Sequence, residues 1–410
     1  MTTVEKYVKL SDIEHVLLRP GMYIGGVSQE TSEQYLFNAE KNVIERKSIK
    51  YSPGLYKILD EILVNSMDHA VRTKGTDCPV TEIIVNLDND SLSVQNNGLP
   101  IEVIRSEIHG VYYPELIFGS LRSSENFDDN AVRMVGGTNG LGSKLTSIFS
   151  KKFIVDVGDA TNELKFYQEY SENMSKRTTP KITKCKKNYT KITVFPDFQR
   201  FGSTSFSNDD ISLISRRVYD IAGCIGWVKI KFNGDLIKIN KFQDYAKMYG
   251  VSTFGAVSAD GYWEVAVGLA DTFTAVSFVN GIYTRDGGKH VEYITKQLVD
   301  GVHTTLTKKN KSITIKKDVI KNNIFLFIRC NINRPSFNSQ TKDYLNTSVK
   351  NFGSRFELPV KLIDSLGKLG LYELVMLQNN QKVASDLKKT DGKKKNTVRV
   401  EKYISAEYSG

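Results

Sequence analysis

The 410-residue chain has no run of about eighteen apolar residues, so no membrane-spanning helix is expected. Its start, MTTVEKYVKL, lacks the apolar core of a secretory signal, which makes an intracellular setting the default. Its four cysteines, Cys78, Cys185, Cys224 and Cys330, are too scattered for a C-x-x-C pair. That argues against a zinc site or a disulfide framework and for reduced, structural thiols. No internal repeat is visible, and the G-x-x-x-x-G-K-[ST] phosphate loop is missing. Acid is in deficit: 56 Lys and Arg against 46 Asp and Glu leave a formal charge of +10. The excess favours a polyanionic partner without establishing one, because solvated lysines produce the same balance. With 40% hydrophobic and 25% charged residues the chain is ordinary for a globular protein, and its length calls for two or more domains.

What is present begins with a helix over Pro53 to Val71, where Leu55, Ile58, Leu59, Ile62, Leu63 and Met67 recur at steps of three and four. Glu82–Leu87 and Ser91–Val94 flank Asp88-Asn89-Asp90 and read as a hairpin. A helix opening near Gly142 carries Leu145, Ile148 and Phe149. Strands are expected at Lys152 to Val157, Glu163 to Gln168, Lys191 to Phe195 and Val228 to Phe232, giving an α+β first domain over residues 1–250. The second domain, 251–385, has strands at Tyr262 to Leu269, Thr274 to Val279 and Ile324 to Cys330, a helix near Glu292 to Leu306, and a long helical stretch from about Pro359. Asp386 to Lys395 reads as a lysine-rich linker, and the strand-like end at Tyr403–Gly410 suggests a piece of a longer protein.

Two features carry chemistry. Glu61 and Asn65 are four apart and project from one helix face, so a carboxylate able to deprotonate water stands beside an amide able to coordinate Mg²⁺. A solvated helix face has the same composition. Gly136-Gly137-Thr138-Asn139-Gly140-Leu141-Gly142-Ser143-Lys144 packs four glycines into seven residues at a helix start, where backbone N–H groups and Lys144 suit phosphate. Asn97, at a strand end before Gly98, is either a turn signal or a side chain for the edge of a base.

In combination these elements resemble the GHKL, or Bergerat-type, ATP fold of gyrase-type topoisomerases, a heat-shock chaperone, histidine kinases and MutL-type mismatch-repair proteins. The resemblance is closer to the N-terminal part of type IIA DNA topoisomerases of the eukaryotic, viral and large-phage branch. It is carried by Leu17-Leu18-Arg19-Pro20-Gly21-Met22-Tyr23-Ile24-Gly25, by Pro53-Gly54-Leu55-Tyr56-Lys57-Ile58, by Phe278-Val279-Asn280-Gly281 with Gly287-Gly288-Lys289-His290, and by Asn338-Ser339-Gln340-Thr341-Lys342. It spans about residues 7 to 385. It implies a GHKL ATP-binding α/β sandwich, then a ribosomal-protein-S5-like α/β transducer, with 386–410 a lysine-rich linker and the start of a TOPRIM domain, and with the metal-binding carboxylates and the cleavage tyrosine expected outside these residues.

The resemblance implies roles for matching positions. Glu61 is the general base and Asn65 the Mg²⁺ ligand. Gln340 and Lys342 reach the γ-phosphate from the second domain. Asn97, Ile117, Phe118 and Thr193 lie on the adenine side, although Ile117 and Phe118 also fit plain core packing. Ser124, Asn126, Gly137, Asn139, Gly140, Leu141, Gly142, Ser143 and Lys144 line the sugar and phosphates. Tyr7 reaches the partner subunit's nucleotide, implying a homodimer closed by ATP. Lys308, Lys309 and Lys311 form a loop facing double-stranded DNA, or else a solvated loop. The implied function is the ATP-hydrolysing N-gate of a topoisomerase, in the nucleus of a eukaryotic cell, or in host cytoplasm or a replication compartment for a virus. A MutL-like or chaperone-type GHKL ATPase is the alternative, and a pocket that binds nucleotide without turnover is a third. Two departures stand out: Leu99-Pro100 follows Asn97-Gly98 at once, shortening that turn, and Thr138 and Leu141 replace Arg and Tyr of eukaryotic members.

Overall fold

The structure, a computed structural model, describes residues 9–121, 140–309, 314–339 and 341–391, without the side chains of 382–391. Helix α1 (Asp12–Leu18), opened by a Ser11–Glu14 capping box, precedes a hairpin of β1 (Glu30–Asn38) and β2 (Val43–Tyr51). Helix α2 (Pro53–Thr73) follows, with the Ser52 hydroxyl accepting from Leu55 N and proline in its first turn. Next come β3 (Glu82–Leu87), β4 (Leu92–Asn96), α3 (Tyr113–Gly119), α4 (Gly142–Ile148), β5 (Ser150–Asp159), β6 (Leu164–Ser171), β7 (Lys176–Arg177), β8 (Lys181–Lys184) and β9 (Tyr189–Pro196). Helix α5 (Asn208–Cys224), β10 (Lys229–Phe232), β11 (Asp235–Leu236) and α6 (Phe242–Lys247) complete the first unit.

Nine strands form one sheet in the order β11-β10-β3-β4-β9-β5-β6-β7, with β8 also on β6, and only β10 and β3 pair in parallel. Alternation assigns the faces. One face carries Leu92, Val94 and Asn96 of β4, Ile192 and Val194 of β9, and Phe153, Val155 and Val157 of β5, all buried. Their apolar members share a core with Leu59, Ile62, Leu63 and Met67 of α2, so α2 is the spine against which the sheet closes.

The second unit comprises β12 (Phe254–Val257), β13 (Trp263–Leu269), β14 (Thr274–Val279), β15 (Ile282–Tyr283), β16 (Gly287–Gly288), α7 (Lys289–Lys309), α8 (Lys317–Asn322), β17 (Ile324–Cys330), β18 (Tyr344–Leu345), α9 (Val360–Gly367) and α10 (Leu371–Asp391). Its five-stranded sheet runs β12-β13-β17-β14-β15. Every residue of β17 is buried because both faces are covered. Phe325 and Phe327 join the core of the first unit, whereas Ile324, Leu326, Ile328 and Cys330 pack with Ile294, Leu298 and Val302 of α7. All four cysteines are free.

Two expectations are corrected. The helical stretch from Pro359 is two helices, broken around Gly370 at φ +87°, where L side chains are strained. The stretch Asp386 to Asp391, expected as linker, continues α10.

The shortened turn after β4 depends on Gly98, which has φ +93° and lies so close to Val80 that a Cβ would sit 2.7 Å from its backbone N. Gly98→Ala is expected to destabilise the fold by roughly 2 kcal/mol. A lower urea midpoint at unchanged m-value would check this.

Candidate active site

Helix α2 positions the central carboxylate. Lys57 and Glu61 are one turn apart, and both side chains are largely buried. Lys57 Nζ lies 2.7 Å from Glu61 Oε1. Burial pushes the Glu61 carboxyl up, but the positive charges of Lys57 and Lys342 outweigh it and hold it below the usual carboxylate range. Burial pushes Lys342 down, only partly offset by Glu61. Residues from the two ends of the chain therefore share one electrostatic site. Asn65, one turn beyond Glu61, is exposed on a helix whose residues are mostly buried.

Helix α4 abuts this carboxylate. A Cβ at Gly142 would fall onto Glu61 Oε2, so only glycine lets the α4 N-terminus approach so closely. Gly140, at φ +60°, turns the chain into the helix. Ser143 and Lys144 are buried, and Leu141 is half-buried. Lys144 Nζ donates to the carbonyl of Gly140, and burial pushes its pKa down to about 8. Ser124, Asn126, Gly137 and Asn139 lie outside the described residues, as do Tyr7, Gln340 and Lys311.

The loop carrying Lys342 is built by the second unit. Gly287 and Gly288 pair in parallel with Tyr344 and Leu345, and a Cβ on Gly288 would lie 2.5 Å from Leu345 N. The Gly287-Gly288-Lys289-His290 segment thus clamps the chain just after Lys342. Glu292, held by Lys289 at 2.8 Å, accepts from Tyr344 Oη at 2.8 Å. His290 is a buried structural residue whose Nε2 lies 3.2 Å from Thr284 Oγ1, and burial pushes its pKa down to about 3. The N-terminal signature seals the other side. A Cβ on Gly25 would lie 3.5 Å from Thr341, while Gly26 O accepts from Gly54 N at the start of α2. The N-terminal signature, α2 and the Lys342 loop with its Gly-Gly clamp are therefore joined by direct contacts.

Strand parity turns two of the adenine-side candidates away from α2. The Asn97 side chain accepts from the backbone N–H of Thr81 (2.9 Å) and Glu82 (3.0 Å) and donates to Thr81 Oγ1 (2.8 Å). It closes the hairpin edge instead of facing α2. Thr193 pairs with Ser93 and Ile154 on the sheet face turned away from α2. On the α2 face the corresponding positions are Asn96 and Thr190, directly opposed across β4 and β9. Period-two alternation from Leu92 and Val194 was the sequence signal that could have found them. Phe118 packs 6.3 Å from Phe153 between ring centroids within the core, and Ile117 lies half-buried against that core. Lys308 and Lys309 occupy the last turn of α7, far along the chain from Glu61, with Lys309 Nζ 5.1 Å from the Tyr372 ring centroid.

A buried carboxylate paired with Lys57 and under the charge of Lys342, a glycine-lined helix start and an exposed amide, in a unit built on a largely antiparallel sheet and joined to a second α/β domain, fit the GHKL fold class. Similarity to known proteins narrows this further. A family profile described as DNA gyrase B matches residues 231–356. The DNA topoisomerase 2 of Arabidopsis thaliana is 39% identical over all of this chain, which spans 28% of that relative. The crystal structure of the ATPase region of Saccharomyces cerevisiae topoisomerase II is 39% identical, with TM-score 0.84, covering 92% of this chain and 99% of that one. The ATPase and transducer domains of Balamuthia mandrillaris DNA topoisomerase II give 35% identity and TM-score 0.86, covering 94% and 100%. The chain belongs to the family of ATPase regions of type IIA DNA topoisomerases.

Because Lys57 is the nearest cation fixed to Glu61, Lys57→Met should raise the Glu61 pKa. The acid limb of any pH–rate profile would move to higher pH, with Lys57→Arg restoring it. An unmoved limb would contradict the pairing.

Proposed function

We propose that this chain binds ATP and hydrolyses it as the N-gate of a type IIA topoisomerase. The observation that carries this reading is the joint hold of Lys57 and Lys342 on a buried Glu61. A water placed beyond Oε2 would lose its proton to Glu61, and Lys342 would neutralise charge developing on the γ-phosphate, with Gln340 assisting. Backbone N–H groups at Gly140 to Ser143, with Lys144, would bind the phosphates. Asn96 and Thr190, in place of Asn97 and Thr193, would meet adenine.

The donor set fits Mg²⁺ as well as ATP. Among the described residues no group of three or more His, Cys, Asp or Glu could hold a metal. Mg²⁺ is commonly bound by one or two protein oxygens plus substrate phosphates, and the exposed Asn65 amide is such a ligand. When bound, the ion would offset phosphate charge.

In this reading residues 1–250 are the ATPase domain and 251–385 the transducer, two copies close as a homodimer on ATP with Tyr7 crossing over, and Lys308, Lys309 and Lys311 contact double-stranded DNA. No described helix is long and apolar enough to cross a membrane. A MutL-like or chaperone-type role is disfavoured by the match over nearly the whole chain to topoisomerase II ATPase regions.

Glu61→Gln should cut ATP turnover by about 100-fold or more while binding of a non-hydrolysable analogue persists. Lys342→Ala should do likewise with mild effects on affinity; large affinity loss at normal turnover would overturn its role. For the lysine loop, replacing Lys308, Lys309 and Lys311 by alanine should reduce DNA stimulation of ATPase and flatten its salt dependence by about 0.9 log units per lost phosphate contact. Equal stimulation would remove the loop from the DNA path.

A further inference from the structure

Two consecutive arginines of α5 lie fully buried where the two units meet, and both reach the β14–β15 hairpin of the second unit. Arg216 makes a two-pronged ion pair with Asp220 (Nη2 to Oδ2, 2.6 Å; Nε to Oδ2, 3.0 Å) and sits 4.1 Å from the centroid of the Tyr283 ring. Arg217 spans the junction. Its Nε donates to Asp60 Oδ1 of α2 at 2.6 Å, and its Nη2 donates to the carbonyl of Gly281 at 2.8 Å. Asp60 is the peptide neighbour of Glu61.

The turn grasped by Arg217 is stiff. Asn280 and Gly281 have φ +49° and +73°. The Asn280 side chain accepts from Ile332 N at 2.7 Å and donates to Ile332 O at 2.9 Å. A Cβ on Gly281 would fall onto the Met67 side chain, so the turn also rests directly on α2. From β15 the chain passes at once to the segment that holds the Lys342 loop. Asp286 N donates to Asp343 O at 2.9 Å, Arg285 Nη2 lies 3.6 Å from Asp343 Oδ2, and Gly287 and Gly288 pair with Tyr344 and Leu345.

We propose that Arg217 is a positioning residue for hydrolysis: by holding Asp60 with one edge of its guanidinium and Gly281 with another, it fixes the distance between Glu61 and Lys342. The inference rests on the ATPase reading given above. A path of polar contacts and short backbone stretches joins Glu61 to Lys342 through this side chain, beside the Met67–Gly281 contact, and small displacements of reacting groups cost rate steeply. A lysine would preserve the charge opposite Asp60 but cannot reproduce the planar two-sided grip.

The test is ATP turnover by the 410-residue chain with Mg²⁺, comparing Arg217→Lys, Lys342→Ala and the double variant, alongside affinity for a non-hydrolysable ATP analogue and the unfolding midpoint. Arg217→Lys should lower kcat about tenfold or more, leave analogue affinity within about twofold, and add no further loss on Lys342→Ala, because the residue it positions is gone. Losses that multiply in the double variant, or a kcat equal to that of the unaltered chain, would overturn the proposal. Should Arg217→Lys not fold, Asp60→Asn, which keeps the shape and one acceptor oxygen, takes its place in the same cycle, where the same loss without multiplication is expected and multiplying losses or an unchanged kcat overturn the proposal. No turnover by the unaltered chain would defeat the ATPase reading itself and the inference with it; normal turnover with multiplicative losses would defeat only the inference.

Discussion

A carboxylate that has left water must either pick up a proton or be held by fixed positive charge, and this constraint organises the molecule. Glu61 is held by charge: Lys57 lies on its own helix, and Lys342 comes from the second unit. The pairing with Lys57 is local, set by helix geometry, and exists wherever α2 forms. The pairing with Lys342 is not. It requires the five-stranded sheet to dock on the first unit and the loop after β17 to be folded back by the β16–β18 ladder. The local contact holds the carboxylate in its charged form; the distant one depends on how the two units dock.

The convergence explains why glycines stand at its closest contacts. Gly142 admits the α4 backbone to Glu61, Gly288 admits β18, and Gly281 admits Met67, each at a place where a methyl group would collide. At Gly281 and Gly288 the backbone is also at positive φ, so two requirements coincide on one residue.

Much of this was legible in the sequence. The apolar spacing of α2, the β3–β4 hairpin and the apolar run Ile324 to Ile328 of β17 follow from residue pattern alone. Other parts were hidden for physical reasons. The β1–β2 hairpin is rich in charge, carrying Glu30, Glu33, Glu45, Arg46, Lys47 and Lys50, and among apolar residues buries Leu36, Phe37, Ile44, Ile49 and Tyr51, with Leu36 and Phe37 adjacent, so its alternation is faint. Helix α5 places Arg216, Arg217 and Asp220 inside, against the usual polarity of a buried face. Asn97 and Thr193 lie an odd number of positions from the residues facing α2, an offset that periodicity in a pleated strand makes visible and motif matching does not. The joining of Lys342 to Glu61 could be inferred only by resemblance, since no local pattern links a loop to a helix so remote in sequence.

Beside the apolar seam where Phe278, Phe325 and Phe327 join the core of the first unit, the junction also buries ions. Buried pairs such as Arg217–Asp60 and Arg216–Asp220 add little net stability, because desolvation consumes most of the Coulombic gain. Their effect is on geometry. An apolar contact between Met67 and the Gly281 turn tolerates sliding by a fraction of an ångström, whereas a guanidinium bonded at 2.6 Å on one side and 2.8 Å on the other does not. A hydrophobic interface alone would hold the second unit on the first without saying where Lys342 must stop. The cost of burying charge at this seam is best understood as the cost of that specification, which is why the arginines lie at the one point where α2 and the β14–β15 turn come together.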